Sequence, residues 1–384
     1  MNNFVVYHLH SDLSNGVTNI DSVTKYKEYI ERAKELGMKA LSFSEHGSVF
    51  NWYQKKCDIE SAGMKYIHSV ECYITETLEE KVRDNLHCVL IARNYDGFLE
   101  LNGMVSKSFN RADNHFYYVP RISFDELLAT SNNIIITSAC IGGILYKGNE
   151  NIQEQFLRFC QKNRDRCFLE IGHHLDPQQY EHNKRLYELS KKYNLRLVAG
   201  TDTHCLNDTH SKGRVKLQES KNIHFDGEDN WDLTFKSYDE LVECYRKQRS
   251  VPEEVFLQAI ENTNVIADMV EEFTLDTSTK YPLIYENPEE TFRDKIYSAI
   301  ENHPYIPKRY SKEEIDEMVN EEFEVYKKTE SIDFMLLETY MREWEKSQGI
   351  ECGYGRGSVS GSEIAYALGI TQMDSKKFGL NFFR

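Results

Sequence analysis

Through its first 205 residues the chain alternates short apolar runs with amphipathic helical stretches, and this rhythm limits the folds open to it. The apolar runs are Val5–Tyr7, Ala40–Ser44, Tyr66–Ile74, Leu86–Ala92, Ile134–Thr137, Cys167–Ile171 and Arg196–Gly200. They are short and rich in β-branched and aromatic residues, as buried strands are. Helical patterns lie between most of them, including Ser22–Leu36, Phe124–Ala129, Glu154–Lys162 and Gln178–Tyr193. Asp21 is the expected N-cap of the first helix and Gly37 its stop. Strands alternating with helices predict an α/β fold. Seven such units in this length favour a closed, TIM-like barrel over an open sheet.

In a barrel of this kind, side chains from many strands converge at the C-terminal ends. The first run leads into His8 and His10, whose i, i+2 spacing puts both imidazoles on one face, roughly 6.5–7 Å apart. The second ends in Ser44-Glu45-His46-Gly47, the third contains Glu71 and the fourth contains His87. The fifth ends in Ser138-Ala139-Cys140, His173 and His174 follow the sixth, and the seventh ends in Asp202-Thr203-His204. Taken singly, each has a plainer reading: a hydrogen-bonded histidine, a small buried thiol, a solvated glutamate. A ligand-capable residue near the end of every predicted strand, in a chain with 13 histidines, points instead to a metal cluster. Imidazole, carboxylate and thiolate together suit Zn, Mn or Fe better than the all-oxygen sites of Mg or Ca.

Composition narrows the class. No run of about 18 apolar residues is present, so no membrane helix is expected, and the N-terminus lacks the basic start of a secretory signal. The nine cysteines are odd in number, scattered and without a Cys-x-x-Cys pair. They argue for the reducing cytoplasm and against a disulfide framework or zinc ribbon. A net charge of −16 lacks the basic footprint of a stand-alone nucleic-acid binder. DNA contact must be local, metal-assisted or supplied by another chain.

Beyond residue 205 the rhythm changes. Ser237-Tyr-Asp-Glu240 reads as a capping box and Pro252–Val270 as a long helix with proline near its start. Tyr281–Pro288 reads as a linker, and two charged helices follow over Lys312–Thr329 and Phe334–Ser347. The glycine-rich stretch Gly353–Gly361 then leads into a helix over Ser362–Leu368. A boundary near 265–290 divides the chain into domains of residues 1–270 and 271–384. Closely spaced glycines let backbone N–H groups approach phosphate, a helix N-terminus adds a favourable dipole, and Arg356 could fork onto a triphosphate. The stretch is neither a Walker A loop nor a dinucleotide fingerprint.

His8-Leu-His10, Ser44-Glu-His46-Gly, Glu71-Cys-Tyr73, His87, Thr137-Ser-Ala-Cys140 and Thr201-Asp202-Thr-His204 resemble the motifs of the polymerase and histidinol phosphatase (PHP) family. The resemblance implies a distorted seven-stranded barrel with up to three metals and nine ligands. Carried over by position, His8, His10, His46, Glu71, His87, Cys140, Asp202 and His204 would be eight of them. Of these, His8, His10, His46, Glu71, Asp202 and His204 would carry catalysis. His173 and His174 match no ligand position and are expected beside the site or facing substrate. Where the family places a further ligand after the first histidines, this chain has Ser14-Asn15-Gly16, and Asn15 brings no charge. Asp12 is off the family's spacing, and Glu45 stands where the family often has Asp.

The stretch Tyr354-Gly-Arg-Gly-Ser-Val-Ser-Gly-Ser-Glu-Ile-Ala-Tyr-Ala-Leu-Gly-Ile-Thr is similar to the Gly-Ser motif in the palm of bacterial and phage DNA polymerase III alpha subunits. Ala259-Ile-Glu-Asn-Thr, Phe334-Met-Leu-Leu and Lys377–Arg384 extend the match, so the resemblance covers essentially the whole chain. It implies a mainly helical, partial polymerase palm after the barrel, with Gly355, Arg356, Gly357 and Ser358 on the triphosphate of an incoming dNTP. Primer-template DNA, other replisome subunits and the remaining polymerase, in this chain or another, would be its partners. The palm's Asp-x-Asp pair, which holds Mg, does not occur before Arg384, so these residues alone should not polymerise DNA. The barrel would hydrolyse phosphoesters, as in 3′→5′ exonuclease proofreading. Two rivals stand beside this reading: a stand-alone phosphatase acting on a small phosphomonoester, and a non-catalytic structural barrel.

Overall fold

The computed structural model describes residues 3–18, 20–223, 231–278, 280–355 and 357–383, so Arg356 lies outside the described residues. The chain falls into two compact units, Met1–Thr274 and Leu275–Arg384. Among its described residues the first holds eight strands: β1 (Ala40–Phe43), β2 (Lys65–Thr75), β3 (Leu86–Ala92), β4 (Phe116–Tyr117), β5 (Val119–Ser123), β6 (Ile134–Thr137), β7 (Cys167–Gly172) and β8 (Arg196–Gly200). Their order is β4-β5-β2-β3-β6-β7-β8, with β1 paired to β2.

Six of the seven predicted strands appear. The first does not form a ladder, because its bonds are spread over three partners. Val6 O and Leu9 O accept from Ser42 N and Ser44 N on one side, while His10 N and Thr203 N exchange bonds with Thr203 O and His8 O on the other. Val5 N goes to a helix instead, donating to Thr263 Oγ1 at 2.9 Å. The extended N-terminal segment therefore bridges β1 and the residues after β8. The result is a curled, TIM-like α/β barrel.

The parallel rhythm is broken at β3, which runs antiparallel to both β2 and β6. Residues 76–85 between β2 and β3 contain no helix, and a parallel return needs a crossover of a dozen residues or more. Reversal puts the beginning of β3, with His87, at the rim where the other strands end. The short β4–β5 hairpin is an addition that the apolar pattern does not announce.

Alternation along the strands separates two cores. Val5, Tyr7, Ala40, Ile67, Val89, Ile91, Ile135, Phe168 and Val198 pack together with Ile266 and Ala267 from the end of the helix Glu253–Met269 and with Val270, which caps it. Phe4, Val6, Leu41, Phe43, Leu90, Ile136 and Leu169 pack in a second cluster with helical residues such as Tyr29, Leu101 and Phe156. Side chains thus fill the barrel, and reactive groups collect at its rim.

One predicted helix is shorter than its pattern. It spans Tyr26–Glu35 with Lys25 as N-cap, and Glu28 accepts from Lys25 N at 2.9 Å. Asp21 does not cap it. Residues 21–24 are drawn onto the rim, where Ser22 Oγ donates to His204 O at 2.6 Å. The nine cysteines are all free, and no helix among the described residues is long and apolar enough to cross a membrane.

The second unit is mainly helical: Pro288–Glu301, Ile306–Arg309, Lys312–Lys328, Ile332–Ser347, a 3-10 turn at Gly357–Gly361, Glu363–Ala367 and Ser375–Phe378. Phe292, Ile296, Val319, Phe323, Leu336 and Ile364 form its core.

Candidate metal centre

All eight expected ligands meet at one rim of the barrel. The pleat of the opening segment aims both histidines inward: His8 Nε2 and His10 Nε2 each lie 3.3 Å from Asp202 Oδ1. Glu71, from β2, is the hub. Its Oε1 lies 3.6 Å from His8 Nε2 and 2.6 Å from His87 Nδ1, and its Oε2 lies 3.4 Å from His10 Nε2 and 2.8 Å from His46 Nδ1. Cys140 Sγ is 3.8 Å from His87 Nδ1. The backbone is fitted closely here, since a Cβ on Gly142 would lie 2.7 Å from His87 Nδ1. Asp202 itself sits at φ +44, a left-handed conformation uncommon outside glycine and functional sites.

Two acids that sequence reasoning missed complete the arrangement. Asp21 Oδ2 lies 2.7 Å from His46 Nε2 and 3.0 Å from His204 Nε2, while Arg214 pairs with Oδ1 at 3.3 Å. Asn15 does not face the histidines. Its Oδ1 accepts from Asp21 N at 2.6 Å and Ser22 N at 3.1 Å, and its Nδ2 donates to Ser22 O at 2.7 Å. The uncharged residue at the family's ligand position thus clamps the loop that delivers a carboxylate from six residues on. Glu170 is the second acid. Its Oε1 is 2.6 Å from His8 Nδ1, and its Oε2 accepts from Tyr7 Oη and Thr137 Oγ1, both at 2.8 Å. The only signal for Glu170 was an acid at an inward position of an otherwise apolar run. Asp21 gave a misleading signal, because it stands just before a helical pattern.

The ligand atoms form three overlapping groups: His10, Asp21, His46 and His204; His8, His10 and Glu71; and Glu71, His87 and Cys140. The buried atoms His8 Nε2, His10 Nε2, His46 Nδ1 and both carboxylate oxygens of Glu71 make no hydrogen bond of regular geometry and meet instead as close pairs with one another, His87 and Asp202. Buried polar groups are rarely left so, and these face one another as donors around a cation do. The residues therefore fit divalent metal ions.

Residues 7–174 match the PHP domain family, and residues 289–384 match the family described as the bacterial DNA polymerase III alpha NTPase domain. The DNA polymerase III subunit alpha of Aquifex aeolicus is 29% identical across 99% of this chain and 34% of its own length. Those of Borreliella burgdorferi and Helicobacter pylori are each 28% identical over the same shares. Nearly the whole chain is thus similar to the N-terminal part of DNA polymerase III alpha subunits. It spans about a third of the length of the curated relatives it matches.

Charge in the centre is balanced by these contacts. Burial opposes ionisation of Glu71, but His87 and His46 hold its carboxyl well below the usual range. Burial likewise opposes ionisation of Asp21, which His204 and His46 keep ionised. Burial lowers His8, yet Glu170 and Asp202 outweigh it and hold the imidazole well above its ordinary value. His10 goes the other way, lowered to about 4 by burial beside His46 and His204. Glu45 is not part of the centre. It accepts from Ser11, Ser14 and Lys55 and so fixes the turn after His10. Asp12 pairs with Lys25 at the surface. His87 is the open side, with its side chain 21% exposed against 8% or less for the other histidines of the centre.

In the second unit the glycine-rich stretch is exposed at Gly355, Gly357 and Ser358. The helix N-terminus expected to help hold phosphate is already taken. Glu322 accepts from Ser362 Oγ at 2.6 Å, Glu363 N at 2.9 Å and Ile364 N at 3.0 Å. What remains open is the loop backbone itself.

Proposed function

We propose that the chain forms the PHP domain and the beginning of the palm of a replicative DNA polymerase III alpha subunit. In this reading the PHP centre performs metal-dependent phosphoester hydrolysis, removing nucleotides 3′→5′ from a primer terminus. The carrying observation is the set of buried, unbonded ligand atoms at the barrel rim, arranged in three overlapping groups. His8, His10, Asp21, His46, Glu71, His87, Cys140, Asp202 and His204 would hold up to three divalent ions of the Zn, Mn or Fe class. Such ions supply Lewis acidity toward a phosphoryl group and activate water at neutral pH.

The protein's own part is orientation. Glu170 takes His8 Nδ1 and so leaves Nε2 facing the centre, the arrangement by which a carboxylate fixes a ligating histidine. Asn15 holds the Asp21 loop, and Glu45 holds the Ser11–Ser14 turn beneath His10. Substrate enters past His87 and Cys140, where the rim is open. DNA-directed synthesis belongs to the complete polymerase, with primer-template, dNTP on Gly355–Ser358, Mg and the other replisome subunits as its partners. A chain rich in free cysteines suits the cytoplasm.

The test is hydrolysis of a primer with a mismatched 3′ terminus by the purified chain with Mn²⁺ or Zn²⁺. Product formation should vanish with His8→Ala and Asp202→Ala. Activity that survives both changes would overturn the reading. Turnover of a generic phosphomonoester with no action on DNA would favour a small-molecule phosphatase.

A further inference from the structure

Next to the PHP centre, three elements converge beyond the end of β7. His173 follows that strand and is only 1% exposed. Neither Nδ1 nor Nε2 of its ring makes a hydrogen bond. One ring nitrogen of a neutral imidazole is a donor and the other an acceptor, so both capacities are buried without a partner. An unmet buried donor or acceptor is costly, and a ligand that engages it relieves that cost. Facing this ring are the carboxylate of Asp232 and the thiol of Cys244, with one ligand atom from each of the three residues within 4.8 Å of the others.

The three residues are held independently. Asp232 precedes a segment that extends the sheet edge, where His204 N donates to Leu233 O at 2.9 Å and Phe235 N to Cys205 O at 2.8 Å. Its carboxylate is oriented by Thr234 Oγ1 at 2.7 Å and by Lys236. Cys244 lies on the helix Tyr238–Gln248. That helix is tied to the end of β7 by Tyr245 Oη on Ile171 O at 2.8 Å and Gln248 Nε2 on His174 O at 2.6 Å. Trp231 stacks on His174 beside the cluster, with ring centroids 5.3 Å apart.

We propose that His173, Asp232 and Cys244 form a second metal site, separate from the PHP centre and of the zinc class, with water as a fourth ligand. One imidazole, one thiolate and one carboxylate make a borderline-soft donor set that suits Zn²⁺ in tetrahedral geometry. Thiolate, carboxylate and the Lys236 ammonium sum to −1, so a dication meets a negative site. Hydrogen bonds to Asp232 act as the outer partners that orient ligating carboxylates. Its ligands come from a strand end, a sheet-edge segment and a helix, so the ion pins residues 231–248 to the barrel rim. This site shares no ligand with the PHP centre.

The experiment reads metal, not hydrolysis. In the full chain, Cys140→Ser removes the thiolate of the PHP centre. Co²⁺ added to that variant should still give a thiolate-to-cobalt charge-transfer band, and the band should vanish in the Cys140→Ser/Cys244→Ser and Cys140→Ser/His173→Ala variants. By elemental analysis, Cys244→Ser alone should carry one zinc fewer per chain than the parent. Absence of the band in Cys140→Ser, or an unchanged zinc count in Cys244→Ser, would overturn the proposal. A PHP centre that binds nothing would leave the Cys140→Ser band intact, so the two readings fail separately.

Discussion

The barrel rim and the glycine-rich loop of the second unit are built in opposite ways. The rim gathers residues from position 8 to position 204, buries them and leaves their ligand atoms facing one another. The loop is contiguous, exposed at Gly355, Gly357 and Ser358, and shaped from outside by Glu322. A buried site of this kind is preorganised and fragile, because each group's charge is balanced only by its neighbours. An exposed loop loses little when one residue changes. Glu71 gives the sharpest break in this comparison. Replacing it with Ala removes the carboxylate that touches His8, His10, His46 and His87. Metal content should collapse and hydrolysis should fall by more than about 100-fold, since outer partners alone are worth roughly 10–100-fold in metal sites. Ser358→Ala, assayed for metal content and hydrolysis alongside it, should change neither.

Asp21 and Asn15 refine the comparison within the barrel. Asp21→Asn should weaken the ion held by His10, His46 and His204 by about 10–100-fold, read by metal titration. Asn15→Ala should cost less, because Asn15 supports the backbone of residues 21–22 and not an ion. Asn15→Asp is the informative case. Restoring the family's charge at this position should not tighten metal binding, because the side chain faces Ser22 O, where the new carboxylate oxygen would replace a donor at 2.7 Å. Tighter binding in that variant would show that position 15 can still reach the ions.

These residues also mark where the sequence was legible. Strand ends carrying His, Glu, Cys and Asp could be read because a strand's two-residue period and a barrel's shared rim turn sequence position into spatial position. Loops have no such period. Asp21 lies in one, and its neighbourhood resembled a helix start more than a ligand. Glu170 sat in view within an apolar run, but its role depends on Tyr7, His8 and Thr137 arriving from elsewhere. The reversal at β3 was hidden for a related reason, since periodicity does not encode direction and only the connection length does. In the second unit the helices were legible from their caps and charges. Glu322 at the glycine-rich turn was not, because a buried acid inside an acidic helix has the same local pattern as a solvated one.

Acid separates the two units next. His68 is buried against Tyr66 and Asn102, and burial lowers it to about 4. The folded barrel therefore holds this imidazole neutral. That stability is fully present above the unfolded value of about 6.5 and is lost as pH falls from there toward 4. At pH 5 the loss from this one residue is about 2 kcal/mol. The second unit contains a single histidine, His303, which is half-buried. Denaturant unfolding at pH 7.5 and pH 5 should weaken the barrel far more than the helical unit. His68→Gln should remove about that much of the barrel's difference, and an unchanged difference would assign the sensitivity to other groups.

Glu322 carries the smallest expected effect and tests the helical unit on its own terms. All three of its partners donate, so the side chain works as an acceptor alone. Burial raises its pKa even though those three donors favour the charged form, so charge and hydrogen bonding pull against each other. Glu322→Gln relieves the buried charge but turns one acceptor into an amide donor facing N–H or O–H groups. The two effects partly cancel, leaving a net loss of about 1 kcal/mol, near the worth of a single buried hydrogen bond. In a unit of this size that moves its melting midpoint down by about 4–8 °C, while the barrel's transition and its metal content stay where they were. A barrel transition that shifts with it would show that the two units do not unfold independently. A rise in the midpoint would show that the buried charge, not the lost acceptor, dominates at the glycine-rich turn.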